Sequence, residues 1–220
     1  MADRVRAQNL GAAINILSQG VPFLHAGQEI LRSKSMDRDS YDAGDWFNKL
    51  DYSYQSNGFG VGLPLAGVNQ DNWSLMSPIL ANPLIKPDTE AIVGARDYVN
   101  DLLAIRRDSS LFRLRTAGDV AQRLRFHNTG PQQIPGLIVM SIDGQHPQRY
   151  ADAKYKSVVV LFNVDKVGKV ITVPELAGRK LGLHQIQRQA DGGRGARIGS
   201  YNGAGGVFTI APRSTAVFVE

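Results

Sequence analysis

Residues 20–54 read GVPFLHAGQEILRSKSMDRDSYDAGDWFNKLDYSY, and this stretch decides how the chain is divided. It opens on a short apolar run, Val21 to Ala26, between Gly20 and Gly27, and then turns polar. A helical pattern precedes it over residues 3–19, with Asp3 as candidate N-cap and Val5, Leu10, Ile14 and Leu17 on one face. A helix, a glycine turn and a non-alternating apolar strand together predict an α/β unit of a parallel sheet. From about Gln28 to Asp88 there is little periodicity, and Asp, Asn, Ser, Gly and Pro dominate. A loop of that length inside a compact domain is usually functional or disordered. Its aromatic residues, Tyr41, Trp46, Phe47, Tyr52, Tyr54, Phe59 and Trp73, argue for order, because they are poorly tolerated in water.

Downstream of the loop the period returns. Residues 89–107 predict a helix, with Thr89 as N-cap and Ile92, Ala95, Val99, Leu102, Leu103 and Arg106 at helical spacing. Past Leu114 the period becomes two. Strands are predicted at Val120–His127, Leu137–Ile142, Val158–Val164, Val170–Val173, Leu183–Ile186, Val207–Ile210 and Thr215–Val219. About seven strands in about a hundred residues predict an antiparallel β-sandwich. Asp143-Gly144 and Asp191-Gly192 are turn signals. The glycine-rich stretch 191–206 lacks the phosphate-loop pattern and reads as a hairpin tip. The fold class expected is therefore α/β plus all-β, with an α/β region at 1–114 and an all-β domain at 115–220. One strand with two helices cannot close a sheet, so the first region needs partners from outside this sequence.

Composition narrows the function. The 220 residues contain no cysteine, which excludes disulfides and thiolate metal sites. His25, His127, His146 and His184 lie far apart in sequence, without metal-ligand spacing. No apolar run is long enough to span a bilayer, and MADRVRAQNLG has no signal-peptide pattern. A soluble protein is expected, with any leader lying upstream. The net charge is +5, and Arg106, Arg107, Arg113, Arg115, Arg123 and Arg125 form the densest basic stretch. Arg106 and Arg107 suit a helix C-terminus, and Arg123 and Arg125 alternate as on the wet face of a strand. The basic stretch reads as solvated surface, so neither nucleic acid nor membrane is expected as a partner.

The loop holds Glu29, Asp37, Asp39, Asp42, Asp45 and Asp51 against Arg32, Lys34, Arg38 and Lys49. Carboxylates accept from paired hydroxyls, Arg and Asn supply fixed donors, and aromatic faces stack on a pyranose ring. That chemistry suits a neutral polyhydroxylated ligand. On composition alone a solvated loop with internal salt bridges fits equally well.

The quoted stretch resembles the pullulanases and limit dextrinases, debranching enzymes of glycoside hydrolase family 13 in the α-amylase superfamily. The resemblance continues through GVGLP, DNWSLM at 71–76, SSLFRL at 109–114, RLRFHNTGP at 123–131 and the terminal APRSTAVFVE. It is similar to plant-type limit dextrinases more than to the secreted enterobacterial enzymes. It implies the last part of a (β/α)8 barrel followed by an antiparallel β-sandwich C-terminal domain. Residues 3–19 would be the seventh barrel helix, 21–26 the eighth strand and 89–107 the closing helix. The loop would then leave the C-terminal end of a barrel strand, where such barrels place their sites.

The resemblance also implies a retaining α-1,6-glucosidase acting on branch linkages in pullulan, limit dextrins, starch or glycogen. Its members use an aspartate nucleophile, a glutamate acid/base and a second aspartate. None of the motifs carrying them occurs in this sequence, so no catalytic residue is assigned and this chain alone is expected to be inactive. Substrate contact carries over. Asp39, in the pattern Asp39-Ser40-Tyr41, is the first candidate, as a bidentate acceptor. Arg38 and Arg32 follow as donors or orienters, and Asp45, Trp46 and Asn48 as contacts or braces. The partners implied are an α-glucan oligosaccharide and the N-terminal portion of the barrel. No cofactor and no metal site is expected here, and calcium in a longer parent enzyme is not assignable to any of these residues. A non-catalytic glucan-binding module and a piece that completes a barrel in trans are the alternatives.

Overall fold

The computed structural model describes residues 1–193 and 198–220. Among them the helices are α1 (Ala2–Leu17), α2 (Asp45–Asn48), α3 (Ala66–Asn69), α4 (Trp73–Leu80), α5 (Thr89–Asp108), α6 (Ala117–Arg123) and α7 (Gln185–Gly193). The strands are β1 (Leu124–Phe126), β2 (Leu137–Asp143), β3 (Ser157–Asn163), β4 (Lys169–Thr172), β5 (Gly182–Leu183), β6 (Gly199–Asn202), β7 (Val207–Ile210) and β8 (Ser214–Val219). The chain divides into two compact units. One holds residues 1–9 and 24–99, the other 10–23 and 100–220.

In the larger unit the strands form two antiparallel sheets. The five-stranded sheet has the order β1-β2-β3-β8-β5 and the three-stranded sheet β4-β7-β6. In the first, Val160 of β3 faces Met140 of β2 on one side and Val217 of β8 on the other. Every residue of β3 is buried, so this strand is apolar on both faces and reads as a continuous run rather than an alternation. Leu137, Val139, Val159, Leu161, Ala216 and Phe218 of the first sheet meet Ile171, Phe208 and Ile210 of the second in one core. Each large side chain buried there contributes roughly 1.5–3 kcal/mol. The 10–23 and 100–108 segments carry a further apolar set, Leu10, Ala13, Ile16, Leu17, Leu102 and Ile105. Arg106, buried among these residues, donates to the carbonyls of Ile16 (2.6 Å), Ser18 (2.8 Å) and Gly20 (2.5 Å) at the end of α1. Ile16 O is one of the acceptors that a helix C-terminus leaves open, and Ser18 O and Gly20 O follow where the chain leaves the helix.

Several expectations need correction. The 21–26 run forms no strand, and Val21 and Phe23 are 87% and 89% exposed, with His25 exposed beside them. A strand exists only as part of a ladder, and no described segment pairs with this one. Residues 120–123 belong to α6, because Thr116 caps that helix through Asp119 N–H, and only 124–126 are strand. Arg123 is accordingly buried rather than on a wet face, and donates to the carbonyls of Asp143, His146 and Gln148. Arg106 also leaves the solvated surface assigned to it. Strand β5 stops at Leu183, since His184 starts α7 by accepting from Ile186 N–H. The hairpin tip read at 191–206 is instead the end of α7, then β6 and a turn, and its residues 194–197 lie outside the described residues. The cap of α5 is Asp88, which accepts from Ala91 N–H, and not Thr89.

Candidate functional site

The smaller unit contains the long loop, and the loop is ordered by short helices with almost no regular ladder. Its shape begins at Gly27, where φ is +90° and a Cβ would sit 2.5 Å from Leu50 Cδ2 and 2.8 Å from Arg32 Cβ. Only glycine takes that conformation in that space. The chain makes a 3₁₀ turn over Gln28–Ile30, and Arg32 then folds back. Its guanidinium donates to Ala26 O (3.2 Å) and to Asn48 O. Asn48 in turn donates to Ser40 O (2.7 Å) and Gly44 O (3.0 Å), so the single turn of α2 is tied at both ends. A second seam joins 31–35 to 57–62. Ser33 N–H donates to Asn57 O, Asn57 Nδ2 to Leu31 O and Ser35 Oγ to Gly62 O, at 2.6–2.7 Å. Gly58 lies in this seam at φ +83°, where a Cβ would meet Ser33 O at 2.4 Å.

The tied loop leaves a groove of about 290 Å³ lined by Asp45, Trp46, Lys49, Asp51, Ser56, Gly58 and Val61. The Trp46 indole N–H donates to Val61 O at 3.1 Å, while 67% of the residue is exposed. Hydrogen bonds from Ser53, and next from Ser56, hold the Asp51 carboxyl down at about 2. An ionised acceptor, an ammonium, a hydroxyl and a fixed aromatic face thus share one shallow concavity. It can hold vicinal hydroxyls and an apolar ring face. Among the described residues no group of three His, Asp or Glu side chains could hold a metal ion.

The seven residues singled out from sequence separate into two groups. Asp39, Tyr41, Asp45 and Trp46 are exposed, with Tyr41 at 95%. Asp39 accepts from Tyr41 N–H at 3.4 Å and its own N–H donates to Asp37 at 3.1 Å. Arg38 is exposed and donates to Val68 O at 3.4 Å. Arg32 and Asn48 are committed to backbone carbonyls inside the loop. Trp46 and Asp45 line one groove, whereas Asp39, Arg38 and Tyr41 are not among its lining residues. Sequence reasoning did not single out Lys49, Asp51, Ser56 and Val61. The Asp51-Tyr52-Ser53 Asx-turn pattern and the i, i+4 pair Asp45/Lys49 were the available signals. A larger hollow of about 470 Å³ lies between the Arg4 and Gln8 face of α1 and residues 31–37, 57–59 and 85–87.

Comparison with known proteins follows this geometry. The family described as alpha-1,6-glucosidases, pullulanase-type, C-terminal, matches residues 54–220. A chloroplastic pullulanase 1 of Arabidopsis thaliana is 48% identical over 99% of this chain, and a pullulanase of Klebsiella pneumoniae is 35% identical over 99%. A crystal structure of a maltotriose complex of PulA from Klebsiella pneumoniae superposes with a TM-score of 0.87 at 33% identity, covering 98% of this chain. The chain spans 23%, 20% and 23% of these three proteins.

Proposed function

The chain belongs to the pullulanase-type α-1,6-glucosidase C-terminal family, and from that premise we propose that it is the substrate-holding end of a starch-debranching hydrolase. The observation that carries this reading is the pinned, solvent-facing Trp46 in a groove with Asp45, Lys49 and the ionised Asp51. The maltotriose bound by the Klebsiella relative supports an α-glucan as the ligand. In this proposal Asp45 and Trp46 contact sugar in the groove. Asp39, Tyr41 and Arg38 contact it on the neighbouring turn, and Arg32 and Asn48 brace both.

We further assign residues 1–114 to the last part of a (β/α)8 barrel and 115–220 to a β-sandwich domain. On that assignment α1 and α5 are barrel helices, 21–26 would become a barrel strand only when neighbouring strands are supplied, and the loop opens at the mouth. The nucleophile and the acid/base of a retaining glycosidase are not assigned to any residue here, so the stretch by itself binds glucan without cleaving it. Two measurements test this. Maltotriose titrated against the tryptophan fluorescence of a Trp73→Phe variant should give a saturable change, and Trp46→Ala should weaken the binding about tenfold in a parallel calorimetric titration. Pullulan should release no reducing ends in the presence of the purified chain. Turnover that copurifies with the chain, or a flat titration at tens of millimolar, contradicts the reading.

The exposed Val21 and Phe23 favour a second reading, completion of a barrel in trans. Sedimentation should then show self-association that Phe23→Ser abolishes. A monomer at every concentration speaks against it.

A further inference from the structure

Asn69 ends α3 and is fully buried, although it is an amide in a polar loop. Burying a carboxamide is unfavourable unless its donors and its acceptor are matched. Here they are. Nδ2 donates to Asp37 Oδ1 at 3.0 Å and to Leu65 O at 3.0 Å. Oδ1 accepts from Arg38 N–H at 3.2 Å. The bonds continue outward. Asp37 Oδ1 also accepts from Asp39 N–H at 3.1 Å, and Asp39 Oδ1 accepts from Tyr41 N–H at 3.4 Å. Asp37 Oδ2 is buried with no hydrogen-bond partner among the described residues, so the Asp37 carboxylate rests on Asn69 and one backbone N–H. At the end of this chain Asp39 is exposed, with one carboxylate oxygen taken up by no described residue.

We infer that Asn69 is the positioning residue that presents Asp39 to the α-glucosyl ring. The inference rests on the sugar-binding reading of residues 38–49. A side chain here must supply two donors and one acceptor within one amide plane. Aspartate has the same shape and keeps the acceptor, but it offers Asp37 and Leu65 only oxygen. Asn69→Asp therefore sets two carboxylates against each other in a buried place, where one of them titrates well above its ordinary range. Protonation restores a donor to the position.

The test compares Asn69→Asp, Asn69→Ala, Asp39→Ala and Trp46→Ala with the parent chain. It reads maltotriose affinity from pH 7.5 to 5 and, without sugar, hydrogen exchange of the Arg38 and Asp39 amides. At pH 7.5 Asn69→Asp should weaken binding about tenfold and speed exchange of the Asp39 amide by at least as much. Acidification to pH 5 should recover most of the affinity in Asn69→Asp and none in Asn69→Ala. A role confined to packing would weaken both variants alike, with no recovery, and would overturn the inference. So would unchanged Asp39 exchange in Asn69→Asp. If Trp46→Ala loses binding while Asp39→Ala keeps it, the groove reading stands and this inference falls. If maltotriose binds none of the proteins, the reading of the loop falls and takes the inference with it.

Discussion

Trp46 leaves 67% of its surface in water while its side-chain nitrogen is tied to Val61 O. An indole held by its N–H keeps one orientation without being packed, so a ring face is presented at little further entropic cost on binding. Trp46→Ala should weaken maltotriose about tenfold, ~1.4 kcal/mol, by calorimetry. Its unfolding free energy should stay within about 0.5 kcal/mol of the parent, as for other surface changes. Arg32 predicts the reverse pattern. Its two donors hold Ala26 O and Asn48 O, and through Asn48 they hold Ser40 and Gly44. Arg32→Ala leaves the part-buried Asn48 carbonyl unmatched and should destabilise the loop by about 1–3 kcal/mol, seen as faster local proteolysis at 40–48. Equal affinity and equal proteolysis in the two proteins would remove Arg32 from its bracing role.

At the scale of elements, α7 and the end of α5 meet at one polar cluster. His184 Nδ1 accepts from Ile186 N–H, so its proton sits on Nε2 and is donated to Asp108 at 3.1 Å. Tyr155 and Lys154 donate to the same carboxylate at 2.5–2.8 Å. Burial lowers His184 below its ordinary 6.5, the opposing pull of Asp108 being the smaller, while Lys154 and Arg188 push it the same way as burial. Burial raises Asp108, but the donors around it outweigh that and keep it below its ordinary 3.8. Both shifts have one consequence. A histidine with a depressed folded value binds fewer protons folded than unfolded, so its contribution is complete above 6.5 and is lost as pH falls below it. The Asp108 contribution is lost at lower pH, as the carboxylate protonates through its depressed folded value.

His127, also lowered by burial, acts in the His184 window. Thermal unfolding should therefore be flat from pH 8 to 7 and fall as the pH drops below 6.5. Pairing His184→Gln with His127→Gln should flatten that fall. An unchanged slope in the double variant would show that neither imidazole is neutral in the fold. Arg106 offers a second test at this scale. Arg106→Met strands three carbonyls at the end of α1 and should lower stability by about 2–4 kcal/mol in urea.

At the scale of the molecule, what could be read from sequence follows the strength of each local signal. The helices α1 and α5 and the strands β4 and β7 announce themselves through periodicity, and β2, β3 and β8 through apolar runs that are buried almost throughout. Val120–Arg123 misled because alternation of Leu124 and Phe126 extends by chance into a capped helix, and Ile186 because its apolar side chain continues β5 past the His184 cap. The 21–26 run misled for a different reason. Its composition is that of a buried strand, but a strand needs neighbours, and here Val21 and Phe23 are in water. The candidate site is legible only in part. Residue types marked the loop, and the motifs marked Asp39, Asp45 and Trp46. Whether Arg32 and Asn48 touch ligand or backbone depends on where Ala26, Ser40 and Gly44 lie in space, and Asn69 sits thirty residues from the turn it holds.

The central claim is that an α-glucan sits on the 38–61 face of this loop. The most direct measurement is amide chemical-shift mapping of the isotopically labelled chain during a maltotriose titration. The account predicts saturable shifts confined to residues 38–41, 45–49, 51 and 56–61, including the Trp46 indole N–H, with the sheets of the larger unit silent. Shifts centred on the β-strands, or none at saturating sugar, would contradict it.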